Sequence, residues 1–250
     1  MSNQSYVIFD SVTKRGLYEP FQLQVARGQI NNHSVVSIFG YQPSVGTSFI
    51  PVWENATSYS YPNSAVVMTI ASASGATDAG IQVTINGLDG NYNMLSETVT
   101  LNSSGTVNTT NSYFRINNMI VVSGNPAGNI TAKNSGTTYS QINSGVGRTQ
   151  SSIYTVPAGY TFYLNRTQGF TNTNYTGGAF TTYRTYTVNS AGVQSLITQR
   201  PFISNFTILR DYPNVYSAQT DIQWQIAVNT GTVAVGFSAE GILIKNDGVF

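Results

Sequence analysis

Ile153-Tyr154-Thr155-Val156-Pro157-Ala158-Gly159-Tyr160-Thr161-Phe162-Tyr163-Leu164 is the stretch whose reading decides the fold. Pro157 fixes φ for a turn, Gly159 supplies a backbone conformation that residues with a Cβ resist, and β-branched or aromatic residues flank both. Beyond this corner Tyr160, Phe162 and Leu164 fall on one face of a strand, with Thr161 and Tyr163 on the other. The same rhythm of two runs to the C-terminus. Phe180–Val188, Gln194–Ile203 and Phe206–Tyr212 read as strands, and then Ile222, Trp224, Ile226 and Val228 share one face opposite Asp221, Gln223, Gln225 and Ala227. After the turn Asn229-Thr230-Gly231-Thr232, Val233, Val235, Phe237 and Ala239 point inward on the return strand, and Ile242-Leu243-Ile244 closes the sheet. Roughly six to eight antiparallel strands in about 100 residues read as a β-sandwich or jelly roll, its sheets interdigitating at ~10 Å. Trp224 inside such a core contributes on the order of 2 to 3 kcal/mol by area.

Upstream the pattern is similar. Val66, Met68 and Ile70 line one strand face and Ile81, Val83 and Ile85 the next, with the small, polar run Ser72–Gly80 between. Gly87-Leu88-Asp89-Gly90-Asn91-Tyr92 is a dense turn signal, after which Val99 and Leu101 alternate with Thr98 and Thr100 in hairpin fashion. Phe114 and Ile116 open a further strand, Ile120 and Val122 mark another segment, and Gly124–Gly147 carries weak strands around Ile130 and Ile142. Short strands with Gly-rich connections indicate a second sandwich. The low-complexity run Asn143–Gln150 marks the boundary. The fold class expected is all-β, with two antiparallel β-sandwich or jelly-roll-like domains preceded by an extended N-terminal arm. The divisions are 1–60 for the arm, 61–148 for a sandwich and 149–250 for a sandwich or jelly roll.

In the arm, Phe21, Leu23 and Val25 alternate with Gln22, Gln24 and Ala26, which predicts a strand after Pro20. Further strands are expected in Val35–Tyr41 and Ile50–Trp53. Such an arm either wraps its own domain or completes a sheet edge on a neighbouring subunit, with Phe21, Leu23, Val25 and Trp53 as docking residues. On the docking reading, deleting residues 1–60 leaves a soluble C-terminal domain that has lost its partner.

Composition removes several classes of function. Charged residues make up 8% of the chain, against roughly 25% in an average soluble domain, so Ser, Thr, Asn, Gln, Gly and Tyr must cover the surface. With 11 Lys plus Arg against 10 Asp plus Glu, scattered singly except for Lys14-Arg15, there is no basic stripe to hold nucleic acid. The absence of cysteine excludes disulfides, thiolate metal sites and thiol nucleophiles. No window approaches the ~18 apolar residues of a membrane span, and the N-terminus lacks a signal-like charged and apolar run, so cytoplasmic synthesis and no membrane are expected. Asn-x-Ser/Thr sequences at Asn3, Asn32, Asn55, Asn102, Asn108, Asn129, Asn165, Asn174 and Asn205 arise by chance in a chain this rich in those residues.

Candidate chemistry is sparse. The single histidine, His33, would have to serve any Ser-His-Asp triad, and no Gly-x-Ser-x-Gly elbow lies near it. Asp78, Asp89 and Asn91 offer hard oxygens near two turns, but their spacing fails the EF-hand pattern. Asp211 and Asp221 are the one carboxylate pair worth weighing for glycoside hydrolysis. No enzyme, no cofactor and no metal are expected. Tyr154, Tyr160, Tyr163, Tyr175, Tyr183 and Tyr186 either brace the sheet or offer a glycan or receptor surface, with Tyr175 and Tyr183 as contact residues.

Gly87–Tyr92 followed by Ser96–Asn102, Thr109–Ile116, Pro20–Ile30 and the Ile153–Leu164 corner together resemble a family of virion structural proteins of tailed bacteriophages. The resemblance runs from about Pro20 to Gly241, and its motifs mark a fold and no chemistry. It implies a non-enzymatic component on the outside of the particle, of the capsid decoration, head-fibre or tail-associated type. It implies other virion proteins and sister copies as partners, with a host glycan as the alternative, and location in the virion after assembly in the host cytoplasm.

Overall fold

The computed structural model describes residues 7–9, 16–55, 57–172 and 179–246. The chain begins with β1 (Val7–Phe9) and β2 (Gly16–Tyr18), then α1 (Phe21–Ala26), β3 (His33–Val45) and β4 (Ile50–Pro51). Seven strands follow as β5 (Val66–Ser72), β6 (Gln82–Leu88), β7 (Met94–Thr100), β8 (Thr106–Tyr113), β9 (Arg115–Ser123), β10 (Ile130–Asn134) and β11 (Thr137–Ile142). The remainder is β12 (Ile153–Thr155), β13 (Tyr160–Thr171), β14 (Thr181–Val188), β15 (Gln194–Phe202), β16 (Asn205–Tyr216), β17 (Asp221–Val228) and β18 (Val233–Lys245). The fold is all-β, and every strand pairing is antiparallel.

One sandwich is a jelly roll. Its first sheet runs β16-β13-β18-β3, and its second runs β12-β17-β14-β15 with β4 on the same strand, β17, as β12. Apart from the β14–β15 hairpin, consecutive strands thus alternate between the two sheets, the arrangement a pair of Greek keys produces. The expected inward faces are inward: Ile222, Trp224, Ile226, Val235, Phe237, Phe162 and Leu164 are fully buried or nearly so. Gly159 takes φ 74° in the corner, where Tyr160 N–H donates to Pro157 O at 3.3 Å.

The second sandwich interrupts a strand of the first. β4 lies opposite Gln225 and Ile226, and β12 lies opposite Asp221 to Gln223, so the two short pieces continue one another along β17. The chain leaves this edge at Val52 and returns at Ser152, both beside Trp224. Ser152 N–H donates to Val52 O at 2.8 Å, Val52 N–H to Ser152 Oγ at 2.8 Å, and Ser152 Oγ–H to Trp224 O at 2.7 Å. Gly40 sits against this crossing, where an added Cβ would fall 2.3 Å from Val52 O. The inserted segment has sheets β11-β10-β5-β8 and β7-β6-β9 around its own core of Met68, Ile70, Val83, Ile85, Met119 and Ile130 with others.

Two expectations are corrected. Phe21–Ala26 is a helix: Gln24 N–H bonds Pro20 O at 3.1 Å and Arg27 N–H bonds Leu23 O at 3.0 Å. Six residues of Phe, Gln, Leu, Val and Ala satisfy a period of 3.6 as well as one of two, and the buried pair Gln24 and Val25 sits one turn beyond Phe21. Second, of the two roles open to the arm, residues 33–52 take the one within their own domain, and as part of its sheets they are more than a wrapping. β3 pairs along β18 from His33 to Val45, and Ile38, Val45 and Val52 belong to the jelly-roll core.

Candidate functional site

The two sandwiches meet at a buried ion pair. Arg115 opens β9 and Asp221 opens β17; Arg115 Nε and Nη2 donate to Asp221 Oδ1 and Oδ2, each at 2.8 Å. Thr155 Oγ1 donates to Asp221 Oδ1 at 2.6 Å, and Arg115 Nη1 donates to Pro62 O at 3.2 Å and Phe114 O at 2.8 Å. The guanidinium lies over the Phe114 ring at 3.9 Å and the Tyr61 ring at 4.4 Å. Burial works against the charge on Arg115, but the bonds and charge of Asp221 outweigh it and hold the guanidinium's pKa above its ordinary value. Nearby, Asn117 Nδ2 donates to Thr155 O at 3.0 Å and Thr155 N–H returns a bond to Asn117 Oδ1 at 2.9 Å. The pair is closed to solvent, so it fixes the lobes and does no chemistry on a ligand.

Beside the junction, a cleft of about 420 Å³ lies between β3 and the β7-β6-β9 sheet, lined by Val35, Ser37, Asn86, Met94, Ser96 and Asn118 with others. No acidic or basic side chain lines it. Asn86 Nδ2 donates to Asn118 Oδ1 at 2.9 Å and Ser96 Oγ to Asn86 Oδ1 at 2.8 Å, so its polar wall is set in place by its own bonds. Such a wall can hold a neutral group and has nothing with which to move a proton at neutral pH.

The stem of the insertion carries the one carboxylate among the described residues whose pKa is strongly raised. Glu54 Oε1 accepts the Gln150 N–H, and Gln42 Nε2 donates to Trp53 O at 2.6 Å. Burial pushes the Glu54 carboxyl up to about 7, against the lowering effect of the Gln150 N–H.

The residues singled out in the sequence are dispersed. Phe21 is half-buried, edge-on to His33 at 5.9 Å, Leu23 is exposed and Val25 is buried. Trp53 is in the interior, its Nε1 donating to Thr57 O at 2.9 Å and its ring edge-on to Tyr59 at 5.1 Å. Tyr183 has no exposed surface; its hydroxyl bonds Thr185 Oγ1 and its ring packs between Phe206 and Phe237. The reason is parity, since Tyr183 shares the inner face of β14 with Thr181 and Thr185. Tyr175 lies outside the described residues, as do Asn3, Asn174 and Lys14-Arg15. Asp211 is exposed whereas Asp221 is buried in the ion pair, so these two do not face each other across a cleft. His33 Nδ1 faces Asn31 O at 2.7 Å.

Asp78 is held by Ser72 Oγ, Ala127 N–H and Gly128 N–H, and Asp89 by the backbone of Asn91 and Asn93 and the Asn93 amide. In both, desolvation is the largest single effect and opposes ionisation, but these bonds together overcome it and lower the pKa. They are loop-fixing carboxylates in separate turns. Sequence reasoning missed Arg115 and Glu54; the available signal was a lone charge beside large apolar residues, Phe114 and Ile116 or Val52 and Trp53, in a chain with few charges.

What the described residues do expose is apolar surface on β15 and β16, the strands joined at Ile203 and Ser204. Only Phe202 of β15 is buried, and Leu209 and Tyr212 of β16 are 73% and 81% exposed.

No protein-family model and no curated protein matches the sequence. Among solved structures the chain is similar to the STIV MCP, at 11% identity and TM-score 0.22 over 84% of this chain and 97% of that one. It is also similar to a structure of the infectious bursal disease virus Gx strain, at 11% identity and TM-score 0.24 over 92% of this chain and 77% of that one. A third is the infectious bursal disease virus VP2 subviral particle, at 10% identity and TM-score 0.14 over 86% and 81%. At these scores the likenesses carry no argument about this chain.

Proposed function

We propose that this chain is a non-enzymatic structural component of a tailed-phage virion, carried on the outside of the particle as a capsid decoration, head-fibre or tail-associated protein in several copies. The observation that carries this reading is where the polar chemistry goes. The buried ion pair joins the two sandwiches, Asp78 and Asp89 tie down turns, and the cleft between the lobes has no acid or base, so each such group serves rigidity. The likeness of the turn and strand motifs to the phage virion family supplies the setting. Other virion proteins are the partners, met through the N-terminal residues that include Phe21 and Leu23, and assembly takes place in the host cytoplasm. Peptide mass spectrometry of density-purified particles tests the assignment: the chain should be present at a fixed ratio to the major capsid protein, and its absence from washed particles would overturn the reading.

A second reading, a carbohydrate- or receptor-binding module, is favoured by the uncharged amide and hydroxyl wall of the cleft and no longer by Tyr183. A host glycan would then bind between the lobes. Saturable binding on a glycan array, lost in Asn118→Ala, supports it, and an array without signal removes it.

A further inference from the structure

The open side of the jelly roll has the features of a contact with a second copy of this chain. Among the described residues β15 is the last strand of one sheet and β16 the last strand of the other, each pairing on one side only, with β14 and β13 respectively. The short turn at Ile203 and Ser204 joins them, so both free edges lie on the same flank. Leu196 stands opposite Tyr186 on the outer face of one sheet and Leu209 opposite Arg166 on the outer face of the other, with Ile203 between. Apolar surface therefore wraps round the flank.

Its extent argues for a stable contact. Leu196, Ile203, Leu209, Tyr212 and Val215 are each more than half exposed, large apolar side chains grouped on two edge strands and the turn between them, the kind of patch that marks an interaction surface. Edges are blunted with lysine, other charges and proline; β15 and β16 contain no lysine but carry Arg200, Pro201, Asp211 and Pro213, which oppose open-ended strand addition and favour a contact made by side chains.

The charges choose the occupant. Arg200 and Asp211 are the exposed charged side chains of these two strands, one of each sign, and neither forms an ion pair within the described residues. A surface that is apolar and carries one charge of each sign is complementary to itself, because in an isologous contact the positive group of each copy can face the negative group of the other. A basic or acidic partner would leave one of the two charges opposed. We infer that the β15–β16 flank is the surface through which two copies of this chain associate.

The association stands apart from the virion reading. A monomer found in virions would sink this inference and leave that reading intact, and a dimer absent from particles would do the reverse. The test is the molar mass of the purified protein by light scattering and sedimentation between about 1 and 100 μM, which covers micromolar affinities, the weak end for standard interfaces. Wild type should self-associate. Leu196→Lys with Leu209→Lys should be monomeric, with an unchanged circular-dichroism spectrum and melting temperature. The chain has no cysteine, so Tyr212→Cys should be joined between copies by a short bis-maleimide, and this reports on the flank even if the double variant fails to fold. A wild-type monomer throughout that range overturns the inference and gives the flank to a different protein. So does a folded double variant of unchanged mass, or a Tyr212→Cys protein that is not joined.

Discussion

The jelly roll has two flanks, and they are treated in opposite ways. On one, β3, β4 and β12 are covered by the chain itself: Tyr41 N–H donates to Gln150 O at 3.4 Å, the stem crosses at Val52 and Ser152, and the inserted sandwich is pinned by Arg115 to Asp221. On the other, β15 and β16 are bare, and large apolar side chains stand in water. Both flanks begin with the same liability of unpaired strand edges. The difference teaches that here an insertion serves as an internal partner, closing one edge with the same devices an interface uses: a desolvated ion pair, aromatic rings over a guanidinium and backbone bonds. The open flank has the apolar surface, and among the described residues no segment covers it.

The largest expected effect comes from stripping the covered flank. Deleting residues 1–52 removes β3, a 13-residue strand bonded along β18, and takes Ile38, Val45 and Val52 out of the core. Each lost aliphatic side chain is worth about 1.5 to 3 kcal/mol, and a domain's whole stability is about 5–15 kcal/mol. The truncated protein should be insoluble or lack a cooperative melting transition. A soluble 53–250 fragment with a sharp transition would show that these residues dress the domain and do not build it, as the arm reading of the sequence had it.

The junction comes next. Asp221→Ala leaves the Arg115 guanidinium buried without its counter-charge, which costs about 3–5 kcal/mol. Arg115→Met with Asp221→Leu should recover most of that, because an apolar pair of similar volume removes the desolvation penalty along with the attraction. Denaturant melts of the three proteins check this. If Asp221→Ala melts like wild type, the covered flank is held by packing alone and its contrast with the open one weakens.

These contacts also show where sequence reading stops. The inward faces of β13, β17 and β18 were legible, because a strict alternation such as Ile222, Trp224, Ile226 and Val228 has only one way to meet a core. The course of residues 33–52 was not, since β3 and β4 bond to β18 and β17 nearly 200 positions on, and pairing partners leave no trace in local pattern. The helix at Phe21 was lost to a window too short to separate the two periods. At the site level, Tyr183 shows the same limit: composition marks a tyrosine as a fine surface contact, and the parity of β14 turns this one inward. Arg115 and Asp221 come from different sandwiches, and nothing in either strand announces the other.

Glu54 offers the finest measurement of how the covered flank is closed. Its carboxyl titrates at about 7 in the folded chain against 4.5 when free, because burial disfavours the charged form and the Gln150 N–H compensates only in part. Below the lower value both states hold the proton and there is no penalty. Between the two, the unfolded chain gives up its proton while the folded one keeps it, so stability falls as pH rises, and above the upper value the loss is complete. At 1.36 kcal/mol per pKa unit, the loss is about 3 kcal/mol. Glu54→Gln cannot ionise and keeps a carbonyl oxygen for Gln150. Its advantage over wild type should therefore be near zero at pH 4, grow through the window and level off by about pH 8. Subtracting the two denaturation series cancels Asp78, Asp89 and every other titrating group they share. Parallel curves would mean that Glu54 reaches solvent at the stem, and that the crossing of Val52 and Ser152 is looser than the bonds around it indicate.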